Sequence, residues 1–252
     1  MIDTSFLKRN NTVLLLAYDQ GFEHGPTDFN EKNVDPEYIL TIARDADVFT
    51  GIIFHEGIAE SYYRKGVEKV PLILKLNGKT SLHPGVEPYS PQLCSVSEAI
   101  RLGAKAVGYT IYIGSEHEAV MMKEFSVIED EAHKEGLPVI LWAYPRGKSI
   151  VGKENSREIV AYAARLGLEL GADFVKLPYT GDPESYAWVV KAAGKTGVLV
   201  QGGSKTNEKE FLTEIRDCKT AGVAGFAIGR NIWQSDDPVS LAKKIANIAY
   251  ES

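Results

Sequence analysis

Short, almost unbroken apolar runs recur along the chain, separated by longer stretches with helical periodicity. Runs near Val13–Asp19, Val48–Phe54, Leu72–Asn77, Ala106–Tyr112, Val139–Tyr144, Phe174–Tyr179, Val198–Gly202 and Phe226–Gly229 read as β-strands. Most are continuously apolar rather than alternating, the pattern of strands covered on both faces. Helix signals fill the stretches between them. Asp35-Pro36 sets an N-cap before a proline at the first helical position and opens Pro36–Ala46. Ser97–Leu102 stops at Gly103, Glu116–Lys134 at Gly136, Ser156–Leu170 at Gly171 and Pro183–Ala193 at Gly194. Asn207 with Glu210 three residues on predicts a capped helix running to Lys219, and Asp237-Pro238 opens the last one.

Strand–helix units in this rhythm, within 252 residues, predict an α/β fold: a (βα)8 TIM barrel, one domain over residues 1–252. The competing doubly wound sheet usually shows a G-x-G-x-x-G turn after its first strand, and residues 19 to 26 do not supply one. No linker or low-complexity tract divides the chain. A net charge of −6 argues against general nucleic-acid binding. No run approaches the roughly 18 apolar residues of a membrane span. Met1 to Asn11 lacks the apolar core of a secretion signal, so the expected location is cytoplasmic. Cys94 and Cys218 sit in no paired motif, which fits a reducing compartment.

In a barrel of this kind the chemistry falls at the C-terminal ends of the strands, and these ends are unusually polar. "LLLAYDQGFEHGP" (14–26) turns from apolar to polar at Asp19, which would project into the barrel mouth while Gly21 and Gly25 let the chain turn away. Alternation puts Asp19, Ala17 and Leu15 on one face of strand one, and Trp142 with Tyr144 on one face of strand five. Strand three carries Lys75 in "LILKLN", and strand six carries Lys176 in "FVKLPYTGD". A lysine inside an apolar strand is costly to bury while charged, so its pKa falls and the neutral amine becomes a nucleophile towards carbonyls. Attack and loss of water give an iminium ion, an electron sink for carbon–carbon cleavage. Tyr144 is a candidate acid–base group and Asp19 a carboxylate to stabilise the cation. Either lysine could be the nucleophile; a structural ion pair is the plainer role for each.

The last two strands carry a different signal. "VLVQGGSKT" (198–206) ends in Gly202-Gly203-Ser204 before a helix, and "GFAIGRNIW" (225–233) in Gly229-Arg230 before another short segment. Loops after strands seven and eight are the usual phosphate site of such barrels: glycines admit the phosphate to backbone N–H groups, and Arg230 could add a bidentate contact. The five histidines show no H-x-x-x-H or H-E-x-x-H spacing, so no metal site is expected. His24, near Asp19, could touch substrate; His55, His83, His117 and His133 read as surface or loop residues.

The blocks "LLLAYDQGFEHGP", "LILKLNGKT", "LWAYPRG", "FVKLPYTGD", "VLVQGGSKT" and "GFAIGRNIWQ", in this order over residues 12 to 235, resemble the archaeal-type class I fructose-1,6-bisphosphate aldolases. These DeoC/FbaB-like aldolases are grouped with heptulosonate-type synthases. The resemblance implies a (βα)8 barrel with a Schiff-base lysine on strand six, Lys176, leaving Lys75 as a supporting charge. It places the acid–base tyrosine on Tyr144, its tryptophan neighbour on Trp142 and the carboxylate on Asp19. It puts the ketone-side phosphate around Gly202, Gly203, Ser204, Gly229 and Arg230, and the far phosphate near His24 and Arg146. It further implies a phosphorylated sugar substrate, no metal or other cofactor, a role in glycolysis or gluconeogenesis, and a homo-oligomer. One departure is visible: many relatives have Asp-His-Gly where this chain has Asp19-Gln20-Gly21, and Gln20 is expected to point outward or into the loop. The run Glu23 to Pro26 favours the aldolases over the synthases.

Overall fold

The structure, a computed structural model, describes residues 2–251. Eight strands, β1 (Val13–Ala17), β2 (Gly51–His55), β3 (Leu72–Lys75), β4 (Ala106–Ile113), β5 (Val139–Pro145), β6 (Phe174–Leu177), β7 (Gly197–Gln201) and β8 (Gly225–Ile228), pair in parallel in chain order. β8 closes on β1, giving the barrel the apolar rhythm predicts. The helices are α1 (Gly21–His24), α2 (Pro36–Ala46), α3 (Glu56–Tyr62), α4 (Val96–Leu102), α5 (Glu118–Lys134), α6 (Arg157–Glu169), α7 (Pro183–Ala193), α8 (Glu208–Thr220), α9 (Arg230–Trp233) and α10 (Pro238–Tyr250).

The caps read from sequence form. Asp35 accepts the Glu37 N–H, Asn207 that of Glu210 and Asp237 that of Ser240. Three short helices, α1, α3 and α9, escape a periodicity reading because none exceeds two turns. β1, β3 and β6 end earlier than the apolar runs suggest. Beyond Ala17, Lys75 and Leu177 the chain leaves the ladder, so Asp19, Asn77 and Tyr179 belong to loops at the barrel mouth.

Alternation along each strand divides the core in two. Leu14, Leu16, Tyr18 and Phe54 join the helices in an outer cluster. Val13, Leu15, Ala17, Ile53, Ile73, Ile140, Trp142 and Phe174 fill the barrel, with Leu7 among them. Large side chains need small partners here. A Cβ on Gly108 would lie 2.0 Å from the Trp142 ring, and one on Gly197 would lie 2.6 Å from Phe174. The apolar filling gives way towards the C-terminal ends to Lys75, Lys176 and Gln201.

Candidate active site

A cavity of about 350 Å³ opens at the C-terminal ends of the strands. Every candidate residue lines it: Asp19, His24, Lys75, Trp142, Tyr144, Arg146 and Lys176, together with Gly202, Gly203, Ser204, Gly229 and Arg230. His55, Gln201 and Asn77 line it too. Among the described residues, no three His, Cys, Asp or Glu side chains are grouped as metal ligands would be.

The two buried lysines flank one indole. Trp142 is the register partner of Lys176, and the Nζ atoms of Lys176 and Lys75 each lie 5.2 Å from its ring centroid. Their surroundings differ. Lys75, 6% exposed, donates to the Asn77 carbonyl at 3.3 Å. Asn77 is itself fixed, accepting from Thr110 N–H and donating to the Ser90 and Thr110 carbonyls. Lys176, 5% exposed, has no hydrogen bond or ion pair among the described residues, and it faces the cavity. Burial pushes the Lys176 amine below its ordinary pKa; Asp19 works against this, while Arg230 and Arg146 add to it. Burial likewise lowers Lys75, to about 8. For Asp19, burial alone would raise the carboxyl, but Lys176 first, then Lys75, with smaller help from His55 and a backbone hydrogen bond, hold the group below its usual range. Asp19 is therefore an ionised acceptor facing an amine that is not tied to it.

Tyr144 shares the inner face of β5 with Trp142. Its phenol is held well above the ordinary value, by burial first and then by Asp19. The Arg146 guanidinium stacks 5.0 Å from the Tyr144 ring centroid and pairs with Glu23 at 2.6 Å. Glu23 also meets Lys79 at 3.7 Å.

Two expectations need correction. His55 is no surface or loop residue: it ends β2, lines the cavity, and its Nε2 lies 3.1 Å from the Asp19 carbonyl. A carbonyl only accepts, so Nε2 is assigned the proton. Burial, then Lys75, lowers this ring to about 4, leaving it neutral at physiological pH. The signal was present in the sequence, since alternation from Ile53 carries His55 inward. Gln20 does not point outward; it lines the cavity, and its Nε2 is buried without a partner. It occupies the N-cap of α1, where the chain folds back over the barrel mouth and turns the side chain inward.

The phosphate-site reading also needs adjustment. Gly229 caps α9, and a Cβ there would lie 2.5 Å from the Ala17 carbonyl oxygen, so no side chain fits. α9 is only four residues long and offers little dipole. After β7, Gly202-Gly203-Ser204 does not open a helix: α8 starts at Glu208, with Asn207 as its cap. What these loops offer is backbone N–H groups and Arg230. Arg230 and His24 both meet Asp28 Oδ2, at 3.3 and 3.2 Å, so His24 sits beside Arg230.

Comparison with known proteins gives the same picture. The chain is 52% identical over 248 residues to the class 1 fructose-bisphosphate aldolase of Thermoproteus tenax, covering 97% of this chain and 92% of the relative. It is 38% identical to the fructose-bisphosphate aldolase/6-deoxy-5-ketofructose 1-phosphate synthase of Methanocaldococcus jannaschii, covering 96% and 82%. It superposes with a TM-score of 0.93, at 50% identity and over 98% and 97% of the two chains, on an archaeal fructose-1,6-bisphosphate aldolase whose catalytic Lys is covalently bound to the carbinolamine intermediate of the substrate. The model of the DeoC/LacD family of aldolases matches residues 13–235, from the start of β1 through the loop after α9. A closed barrel with a buried lysine on its sixth strand thus comes with the family's sequence: the chain belongs to the DeoC/LacD family of aldolases.

Proposed function

We propose that the protein is a class I, Schiff-base fructose-bisphosphate aldolase that reversibly cleaves fructose 1,6-bisphosphate into dihydroxyacetone phosphate and glyceraldehyde 3-phosphate. The observation that carries this reading is Lys176: buried, lowered in pKa, without a hydrogen bond or ion pair among the described residues, and facing the cavity. Its neutral Nζ attacks the C2 carbonyl of the open-chain ketose. The carbinolamine loses water, and the resulting iminium draws electrons from C3. The C4 hydroxyl gives up its proton, the C3–C4 bond breaks, and glyceraldehyde 3-phosphate leaves. The enamine takes a proton at C3, and hydrolysis returns Lys176 and frees dihydroxyacetone phosphate.

The resting protonation states, a protonated phenol and an ionised carboxylate, divide the proton work between two groups. A phenol held as high as Tyr144 gives a proton before it takes one, so Tyr144 serves C3 of the enamine rather than acting first as base. The ionised Asp19 receives the C4 hydroxyl proton, directly or through water, and returns it to Tyr144. One proton leaves oxygen and one arrives at carbon, so the cycle balances. Asp19 also steadies the iminium charge, and Trp142 walls the amine from water. Gly202, Gly203, Ser204, Gly229 and Arg230 hold the ketone-side phosphate. Arg146 serves the far phosphate, His24, joined to Arg230 through Asp28, sits with the ketone-side group instead, and Lys75 adds positive charge.

The same reading takes residues 1–252 as one barrel domain working in the cytoplasm as a homo-oligomer, in sugar breakdown or synthesis. Light scattering tests the assembly. A related Schiff-base reaction, on another phosphorylated ketose or forming a heptulosonate, would use the same lysine. A panel of phosphorylated ketoses offered to the purified protein with EDTA present decides. Fastest cleavage of fructose 1,6-bisphosphate, unchanged by EDTA, is expected. Loss of activity with EDTA, or clear preference for another substrate, would overturn the assignment.

A further inference from the structure

The loop after β7 is shaped from behind by a residue that never reaches the cavity. Asn231, on α9, is 4% exposed. Its Nδ2 donates to the carbonyls of Gly202 at 2.5 Å and Ser204 at 3.0 Å, and its Oδ1 accepts the Thr206 N–H at 2.9 Å. Gly202, Gly203 and Ser204 line the cavity, whereas Asn231 lines a separate recess on the other side of the loop.

Peptide geometry turns this into a statement about donors. In a trans peptide the C=O and the following N–H point in opposite directions. Drawing the Gly202 and Ser204 carbonyls towards Asn231 therefore turns the Gly203 and Lys205 N–H groups away from it, to the cavity side. Among the described residues, the N–H groups of Gly203, Ser204 and Lys205 donate to no protein acceptor. Gly203 is left-handed, φ +62°, with open space where a Cβ would stand. Successive N–H groups around such a turn form a concave anion receptor.

We propose that Asn231 is the positioning residue of the phosphate receptor: it holds the loop after β7 with its N–H groups aimed at the phosphate of the ketone half of the substrate. The inference rests on the aldolase reading for the identity of that phosphate. The loop geometry itself does not depend on it.

The test compares wild type, Asn231→Ala and the milder Asn231→Ser. Borohydride trapping is run with dihydroxyacetone phosphate and, separately, with dihydroxyacetone, which has the same ketone and no phosphate. Inorganic phosphate binding is measured by calorimetry. In Asn231→Ala, half-saturation by dihydroxyacetone phosphate and the phosphate dissociation constant should each rise about tenfold or more, the scale of one charge-assisted hydrogen bond. Trapping of dihydroxyacetone should stay unchanged, and Asn231→Ser should fall between. If Asn231→Ala does not fold, Asn231→Ser alone gives the same comparison. Unchanged phosphate dependence would overturn the proposal. Equal losses with both ketones would overturn it too, because Asn231 would then only support the fold. Should wild type trap neither ketone, the aldolase reading fails while the calorimetry still decides the role of Asn231.

Discussion

Trp142 and Lys176 are register partners on β5 and β6, and the lysine Nζ lies 5.2 Å from the centroid of the indole. The indole fits only because Gly108, on β4, has no side chain. Gly108→Ala would set a Cβ 2.0 Å from the ring. Overpacking of this kind costs about 1–3 kcal/mol, and here the ring that moves is the wall of the reactive amine. Thermal unfolding should shift down, tryptophan emission should change, and the cleavage rate should fall with them. A variant with unaltered melting and full activity would show that the Trp142 position is not needed.

Tyr144→Phe removes the proton donor and leaves the amine. Cleavage should drop by roughly 10²–10⁴, the usual worth of a positioned acid–base group. Exchange of the C3 proton of dihydroxyacetone phosphate with solvent should slow in parallel, while borohydride still captures the iminium. Undiminished C3 exchange would move the donor role elsewhere.

Lys75 gives a pH-dependent signature. Its folded-state pKa, about 8, lies below the ordinary 10.5. Below about pH 8 the amine is charged in both folded and unfolded states, and the full cost of burying that charge is present. Between pH 8 and 10.5 the folded protein releases the proton first, so the cost fades; above that window it is gone. Lys75→Met, which keeps the volume and removes the charge, should therefore be more stable than wild type at pH 7 by about 1–3 kcal/mol. The lower figure applies if Asp19 misses its second counter-charge. Denaturant unfolding of both proteins across the range should show the gap narrowing above about pH 8 and closing only beyond about pH 10.5. A gap that is constant, or that widens with pH, would contradict the buried-cation description.

The barrel was legible because its signals are local: strand runs, caps and stops follow from spacing of a few residues. The strand ends were read too long because Tyr18, Leu76 and Pro178 prolong the apolar runs in sequence while the chain, leaving the ladder after Ala17, Lys75 and Leu177, carries Asp19, Asn77 and Tyr179 into loops. The candidate site residues were legible because strand alternation and the rule of C-terminal ends converge on one mouth. Burial and spacing did not separate Lys75 from Lys176, since both are single lysines in apolar strands; the family resemblance alone chose Lys176. The folded chain supplies the physical difference: Lys75 is tied to the Asn77 carbonyl, and Lys176 has no hydrogen bond or ion pair among the described residues. His55 was missed despite a usable alternation signal. Asn231 had no local signal at all, because its partners lie 25 to 29 residues away, on a loop whose path only the closed barrel fixes.

The nucleophile itself is tested by reducing the protein with borohydride in the presence of dihydroxyacetone phosphate and mapping the adduct by mass spectrometry in wild type, Lys176→Ala and Lys75→Ala. Wild type and Lys75→Ala should carry one adduct on Lys176, and Lys176→Ala should carry none. An adduct on Lys75, an adduct surviving in Lys176→Ala, or no adduct in wild type would contradict the Schiff-base role of Lys176.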